Sequence, residues 1–382
     1  MGLRVAEELL ASAPEIELMA IDVSENSLAK FQSALGNARV KTSIANAEDT
    51  PSLAKAMKGS KVIINAAQYD INRLVMQAAL LAGAHYVDLG GMFHETRRQL
   101  KLNDEFKKTR LTAIPGMGAA PGLTNLLAAQ LSDNFVTLES VSASFGASVE
   151  NHPGPSQFVP PYSLRTIMQE FMEESVQFVD GKHQTQAPMS GARLIEFPNP
   201  IGELECIYTL HSEPATLPDF LHEKGIRNVT WHLGLPIELT NAIRAFAAAG
   251  LSEEKPIEYQ GQKIIPIDFL IASIEANKQK SSPEKAPYTE SGCLRLEVSG
   301  TVDSGEIQTR VATCQRSITG VMPDMAGVIT GVPCAIAALM LAKEQIKMPG
   351  VYAPEYLIDP GAMFEALKAR GFKFTSEITT TN

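Results

Sequence analysis

The chain has 382 residues, 45% hydrophobic and 20% charged, with a formal net charge of −10. That length exceeds what one hydrophobic core usually serves and predicts two domains. An acidic balance without a basic block argues against a surface that tracks nucleic-acid phosphates, and no apolar run reaches the ~20 residues of a membrane helix.

The first third alternates between strand and helix patterns. Residues 3–12 (LRVAEELLAS) place Leu3, Val5, Ala6, Leu9 and Leu10 on one helical face, and Pro14 stops them. Residues 16–21 (IELMAI) read as a strand ending in Asp22. A helix over 28–35, a strand over 40–45 and a helix over 50–57 follow, the last starting at Asp49-Thr50-Pro51. The strand 62–64 ends in Asn65, and Gly83 closes a helix over 71–82. The strand 86–89 precedes Gly90-Gly91, a charged helix covers 99–108, and the strand 111–114 runs into a glycine-rich turn before a helix from about Pro121. This order predicts an α/β chain with a Rossmann-like parallel sheet, which binds ligands outside the carboxyl ends of its strands.

Those ends carry the candidate cofactor residues. Gly2 stands 20 residues before Asp22, the spacing that brings a carboxylate to an adenosine ribose. It is placed as the third glycine of a GxGxxG turn whose first strand and first two glycines would precede Met1. The expectation is that the chain as written binds NAD weakly and is less stable than a version extended by that strand. Asp22 can accept both ribose hydroxyl protons and would repel a 2′-phosphate, and no arginine follows, which favours NAD over NADP. Asp22 or Ser24 equally suits a helix N-cap. Asn65, Ala66 and Ala67 are small enough for a cofactor to lie against the backbone. Gly90 and Gly118 are expected as a wall near its reacting end.

In the second half, residues 136–145 alternate as a half-buried strand, 165–174 form a helix, and 177–182 turn at Asp180-Gly181. Strands follow within 194–210 and over 228–233, helices over 237–250 and 269–276, and a polar loop over 278–285. Residues 293–302 and 306–318 pair antiparallel through Asp303-Ser304-Gly305. An α+β domain over 126–323 is therefore expected, inserted into a dinucleotide-binding domain of 1–125 plus 324–382. Residues 324–345 read as a small-residue helix that Pro333 kinks or restarts, and 360–370 as a last helix. The strands 136–145 and 206–210 are expected at sheet edges, where a second copy would cover them in a homodimer.

Several segments carry a resemblance. INAAQYDIN (64–72), HYVDLGG (85–91) and IPGMGAAPGLTNLLA (114–128) are followed by NHPGPSQFVPPYSL (151–164) and FPNPIGELECIYTLHSEPATLP (197–218). In this order they resemble the saccharopine dehydrogenase-like family, most of all its lysine 6-dehydrogenase branch. Ala119 and the run Leu210-His211-Ser212-Glu213 depart from that branch's pattern. The resemblance implies that the second domain covers a substrate cleft, with Gly91, Tyr162 and His211 near a small amino-acid substrate. It implies an NAD(P)-dependent oxidoreductase acting on the CH–NH or CH–NH2 group of an amino acid. The alternatives are an NADPH-dependent condensing reductase of the saccharopine reductase or carboxynorspermidine type, and a non-catalytic homologue with a truncated glycine turn.

Oxidising an amine requires a hydride acceptor, a base for the ammonium and a clamp for the carboxylate. Asp88, at a strand end, suits an ammonium holder or proton relay, or else a cap on local N–H groups. Tyr69 suits a hydrogen bond to the reacting nitrogen, or packing. His94 is a candidate proton carrier, and Arg165 and Arg310 are candidate carboxylate clamps. His152, His211 and His232 read as surface or structural, although the resemblance places the His211 loop near the cleft. No metal-ligand spacing and no G-x-S-x-G turn occurs, so no metal is expected. The four cysteines, without a CxxC pair, and the absence of a signal-peptide pattern predict free thiols in a cytoplasmic setting.

Overall fold

The structure is a computed structural model that describes residues 1–36, 39–151, 160–280 and 286–381. The first third alternates through α1 (Gly2–Ser12), β1 (Leu18–Asp22), α2 (Glu25–Leu35), β2 (Val40–Ile44), α3 (Thr50–Met57), β3 (Val62–Asn65), α4 (Asn72–Ala82), β4 (His85–Asp88), α5 (Phe93–Leu100), α6 (Asn103–Thr109), β5 (Thr112–Ile114) and α7 (Leu123–Ser132). The expected charged helix over 99–108 is two helices, parted at Lys101-Leu102. Local chemistry sets the boundaries. The Ser24 hydroxyl accepts the Ser27 N–H, the Asp49 carboxylate accepts that of Ser52, and Gly83 closes α4 at φ +74°.

The remainder runs through β6 (Thr137–Glu150), α8 (Leu164–Met172), β7 (Ser175–Val179), β8 (Lys182–Gln186), β9 (Arg193–Phe197), β10 (Gly202–Tyr208), α9 (Glu213–Phe220), β11 (Asn228–Gly234), α10 (Ile237–Ala248), β12 (Ile257–Tyr259), β13 (Gln262–Ile264), α11 (Pro266–Lys280), β14 (Tyr288–Thr301) and β15 (Ile307–Gly320). Last come α12 (Met325–Ala342), β16 (Gly350–Val351), α13 (Pro354–Leu357), α14 (Pro360–Lys368) and β17 (Lys373–Thr381). The expected loop over 278–285 begins inside α11, and its residues 281–285 lie outside the described residues.

Every pairing among the early strands is parallel. β1 pairs with β2, and β3, β4, β5 and β16 form a second ladder. No ladder joins β1 to β3 among the described residues. The large sheet has the order β17-β15-β14-β6-β11-β10-β9, antiparallel except where β6 runs parallel to β11. Two expectations fail here. β6 lies between β14 and β11, and β10 between β9 and β11, so neither is an edge strand. β17 was not foreseen; it pairs with β15, which places 373–381 in the large sheet rather than with the early parallel strands.

α12 joins the two parts. It is 18 mostly apolar residues long, enough by length and composition to cross a membrane, yet it is mostly buried in the core and runs unbroken through Pro333. Gly331 lets it press against α1: a Cβ there would sit 3.2 Å from both the Arg4 Cβ and the Val5 nitrogen. Arg4 Nε donates to Asp324 at 2.7 Å across the same contact. Leu123, Leu126 and Leu127 of α7 are fully buried with Leu294 and Leu296 of β14 in one core, each contributing roughly 1.5–3 kcal/mol.

Candidate active site

Asp88 ends β4 and is almost wholly buried. Its carboxylate accepts from the Gly90 N–H (2.9 Å), the Gly116 N–H (2.7 Å), Gln99 Nε2 (2.6 Å) and the Tyr86 hydroxyl (2.9 Å). Burial pushes its carboxyl up, and these donors pull it back. With its lone pairs taken, Asp88 has nothing to offer an ammonium, so the catalytic role gives way to the capping one. It locks the turns after β4 and β5 together. The two glycines expected to face a cofactor face protein instead. A Cβ on Gly90 would lie 2.6 Å from the Pro121 ring, and one on Gly118, which is buried, would strike the Leu89 carbonyl.

The carboxyl ends of β1 and β3 do suit a dinucleotide. Gly2 starts α1 beside Ala66, where an added Cβ would stand 3.5 Å from the alanine's own. The Asn65 side chain turns inward, donating to Asn72 Oδ1 at 2.7 Å and accepting the Ala67 N–H at 3.2 Å, so it shapes the loop that presents Ala66 and Ala67. Asp22 is exposed; one oxygen accepts the Ser24 N–H at 2.8 Å, leaving the other open.

The loop after β3 docks on α8. Tyr69 Oη donates to Gln169 Oε1 at 3.0 Å, and Gln68 reaches the Ser163 hydroxyl at 3.1 Å. Burial, then the carboxylates of Glu173 and Asp70, hold the Tyr69 phenol well above its usual range. Gln169 continues to Glu254 at 3.1 Å, where Arg165 also binds (3.1 Å) while pairing with Asp268. Arg165 is thus spent on acids of its own fold and is not a free carboxylate clamp. Arg310 lies on β15, bonded to Gln308 and over the Phe135 ring. His94 is exposed at the start of α5, with no hydrogen bond to Asp88, Tyr69 or His211 among the described residues. His152 lies outside the described residues.

The remaining predicted residues do converge. The Gly91 carbonyl accepts the Ser212 hydroxyl at 2.6 Å, and a Cβ on Gly91 would stand 3.5 Å from that of Tyr69. Beside Ser212, His211 Nδ1 bonds Glu213, and the imidazole stacks flat on Trp231 at 4.0 Å and 15°. Trp231 is held by its Nε1 donating to the Thr209 hydroxyl at 2.9 Å. Tyr162 donates to Glu170, whose main-chain carbonyl accepts the Leu210 N–H. Burial lowers the affinity of His211 for its proton, but Glu213 and then Glu170 outweigh it, and the net shift is upward. Burial drives the Glu170 carboxyl up to about 7, opposed by the nearby His211 charge.

Glu170, Glu213 and Trp231 escaped sequence reasoning. Signals existed. Glu170 interrupts the stripe Leu164, Ile167, Met168, Phe171 on the buried side of α8. The alternation Val229, Trp231, Leu233 faces the only tryptophan inward and puts His232 on the other face, where burial pushes it down to about 3. Among the described residues no group of three metal-ligating side chains occurs.

Comparison with known proteins agrees with this arrangement. Residues 1–114 match the family model described as the saccharopine dehydrogenase NADP binding domain, and residues 118–372 that of the saccharopine dehydrogenase C-terminal domain. A carboxyaminopropylagmatine dehydrogenase from Synechocystis is 26% identical, over 88% of this chain and 85% of its own length. An apo saccharopine dehydrogenase (L-Glu forming) from Saccharomyces cerevisiae superposes with a TM-score of 0.72 at 18% identity, covering 99% of this chain and 98% of its own. A homospermidine synthase from Legionella pneumophila, in complex with NAD, gives 0.60 at 15% identity over 96% and 86%.

Proposed function

The chain belongs to the saccharopine dehydrogenase family, and we propose that this NAD(P)-dependent oxidoreductase interconverts an imine and a secondary amine that joins an amino-acid skeleton to a cationic amine. One observation carries the reading: Glu170 and Glu213, both buried, converge on the single imidazole of His211. Two buried acids against one base leave a site that a substrate cation completes. In the condensing direction, aldehyde and amine lose water to give the imine; hydride then adds to its carbon and a proton to its nitrogen. Glu213 occupies Nδ1 of His211, leaving Nε2 as the ring's other exchange site. Glu170, titrating near neutrality and paired with Tyr162, can give or take the proton.

The nicotinamide cofactor supplies or accepts the hydride. Asp22 would hold its ribose, and Gly2 at the start of α1, with Ala66 and Ala67, would flank its pyrophosphate. The exposed Asp22 carboxylate favours NAD over NADP. Association also enters the proposal: β17 leaves a nine-residue outer edge with Ile378 exposed, which twofold pairing with a second copy would cover. A monomeric mass by light scattering would remove that part.

The test follows absorbance of the reduced cofactor. Oxidation of NADH or NADPH that needs both an amino-acid semialdehyde and a diamine or agmatine supports the proposal. Reduction of NAD by lysine alone would move the assignment to a lysine dehydrogenase. No turnover with any pair would sink it.

A further inference from the structure

The first turn of α7 carries two buried carboxyls rather than one. The Thr124 hydroxyl donates to Glu213 Oε1 at 2.7 Å. Its neighbour Asn125 donates from Nδ2 to Glu355 Oε2 at 3.0 Å and to the Thr216 hydroxyl at 3.1 Å. Glu355 belongs to α13, far along the chain, and is 6% exposed. Its other oxygen, Oε1, is buried with no hydrogen-bond partner among the described residues. Asn125 and Thr216 also line a cavity of about 10 Å3, room for one water, together with Thr96, Ser212 and Pro354.

We propose that Glu355 is a positioning residue for the His211–Glu213 pair, acting through Asn125 and Thr124 with its carboxyl in the uncharged form. An ionised carboxylate with one oxygen buried and unpaired is strongly unfavourable; a proton on Oε1 removes the charge and with it the larger part of that cost. The charged and titratable groups around it agree. α7 offers none, α9 offers Glu213 and, farther out, Asp219, and α13 itself offers Tyr356. None of these is a cation, and burial, with a smaller push from Glu213, holds its carboxyl up, at about 7, against hydrogen bonds from its own main chain, Thr216 and Asn125. When Glu355 loses its proton, a second anion stands behind Glu213 on the same turn. The turn then repacks, and Glu213 no longer sets the imidazole for the substrate.

This inference rests on the catalytic site proposed above, and its test separates the two. The Michaelis constant for the amine substrate is measured across pH for the full chain and for Glu355→Gln, which keeps an acceptor for Asn125 but cannot ionise. The ratio of the variant's value to the wild type's should fall between pH 6 and pH 8.5 by about threefold or more, the scale of a weak charge coupling. A ratio constant with pH overturns the proposal. A second readout needs no turnover: the His211 imidazole titration by NMR. Glu355→Ala should lower its midpoint and Glu355→Gln should restore it. Identical midpoints in all three proteins also overturn the proposal, whereas a catalytically silent wild type overturns only the function it was built on.

Discussion

Asp88 and Glu355 are both buried carboxyls, one at the strand ends of the nucleotide-binding half and one behind the candidate active site. Among the described residues Asp88 meets four donors, and Glu355 keeps an oxygen that meets none. Burial pushes both carboxyls up. Donor count, not depth, separates them: a saturated carboxylate is a fastener, and an undersupplied one retains a proton it can lose. Glu170 belongs with the second kind, since among the described residues Tyr162 is its one side-chain donor.

Removing the fastener should have the largest effect. Asp88→Ala strands the N–H groups of Gly90 and Gly116 and the donors of Gln99 and Tyr86, and should destabilise the fold by about 3–5 kcal/mol. Urea unfolding at neutral pH measures it, and a loss below ~1 kcal/mol would show that the two turns hold without their shared acceptor. On the other side of the comparison, His211→Ala should cut turnover by ~100-fold or more; it also parts Glu170 and Glu213 from their shared base, so the melting temperature should fall while the chain still folds. Collapse of the fold instead would make His211 a fastener too.

Glu170→Gln sharpens the contrast through pH. The native carboxyl keeps its proton up to about 7, against an ordinary value of 4.5. The unfolded chain therefore releases that proton first, and wild-type stability falls as pH rises from about 4.5 through about 7. The glutamine variant should escape this loss and gain, relative to wild type, up to about 3 kcal/mol between pH 5 and pH 8. Parallel pH–stability curves would show that Glu170 is ionised throughout. The smallest effect belongs to Tyr69→Phe, which loses one hydrogen bond to Gln169, about 1 kcal/mol. It should raise the substrate KM more than it lowers kcat, since it loosens the docking of α8; a pure kcat loss would give Tyr69 the chemical role instead.

The parallel strands were legible because each is a short apolar run with a polar or glycine stop, and caps such as Asp49 and Gly83 mark helix ends locally. The residues at those ends were legible as positions, not as roles. Asp88 reads as reactive in one dimension because its donors, Gly116 and Gln99 among them, become neighbours only when β4, β5 and α5 pack. The acids of the cleft were hidden for the same reason: Glu170, Glu213 and Glu355 come from three helices, and 185 residues separate the first from the last. β17 was missed because threonines and charges such as Lys373 and Glu377 give it no apolar alternation. As an edge strand it takes its stability from main-chain bonds to β15.

β16 and β17 are brief stretches separated by α13 and α14, yet they close different ladders. Gly350 and Val351 extend the parallel strands beyond β5, and Lys373–Thr381 covers the open side of β15. As the chain leaves the ribosome, both halves therefore wait for the same late segment. The usual order of synthesis, an early domain finished before the next begins, does not suit this topology, and the half-made chain carries two uncapped sheet edges at once until residues past Gly350 emerge.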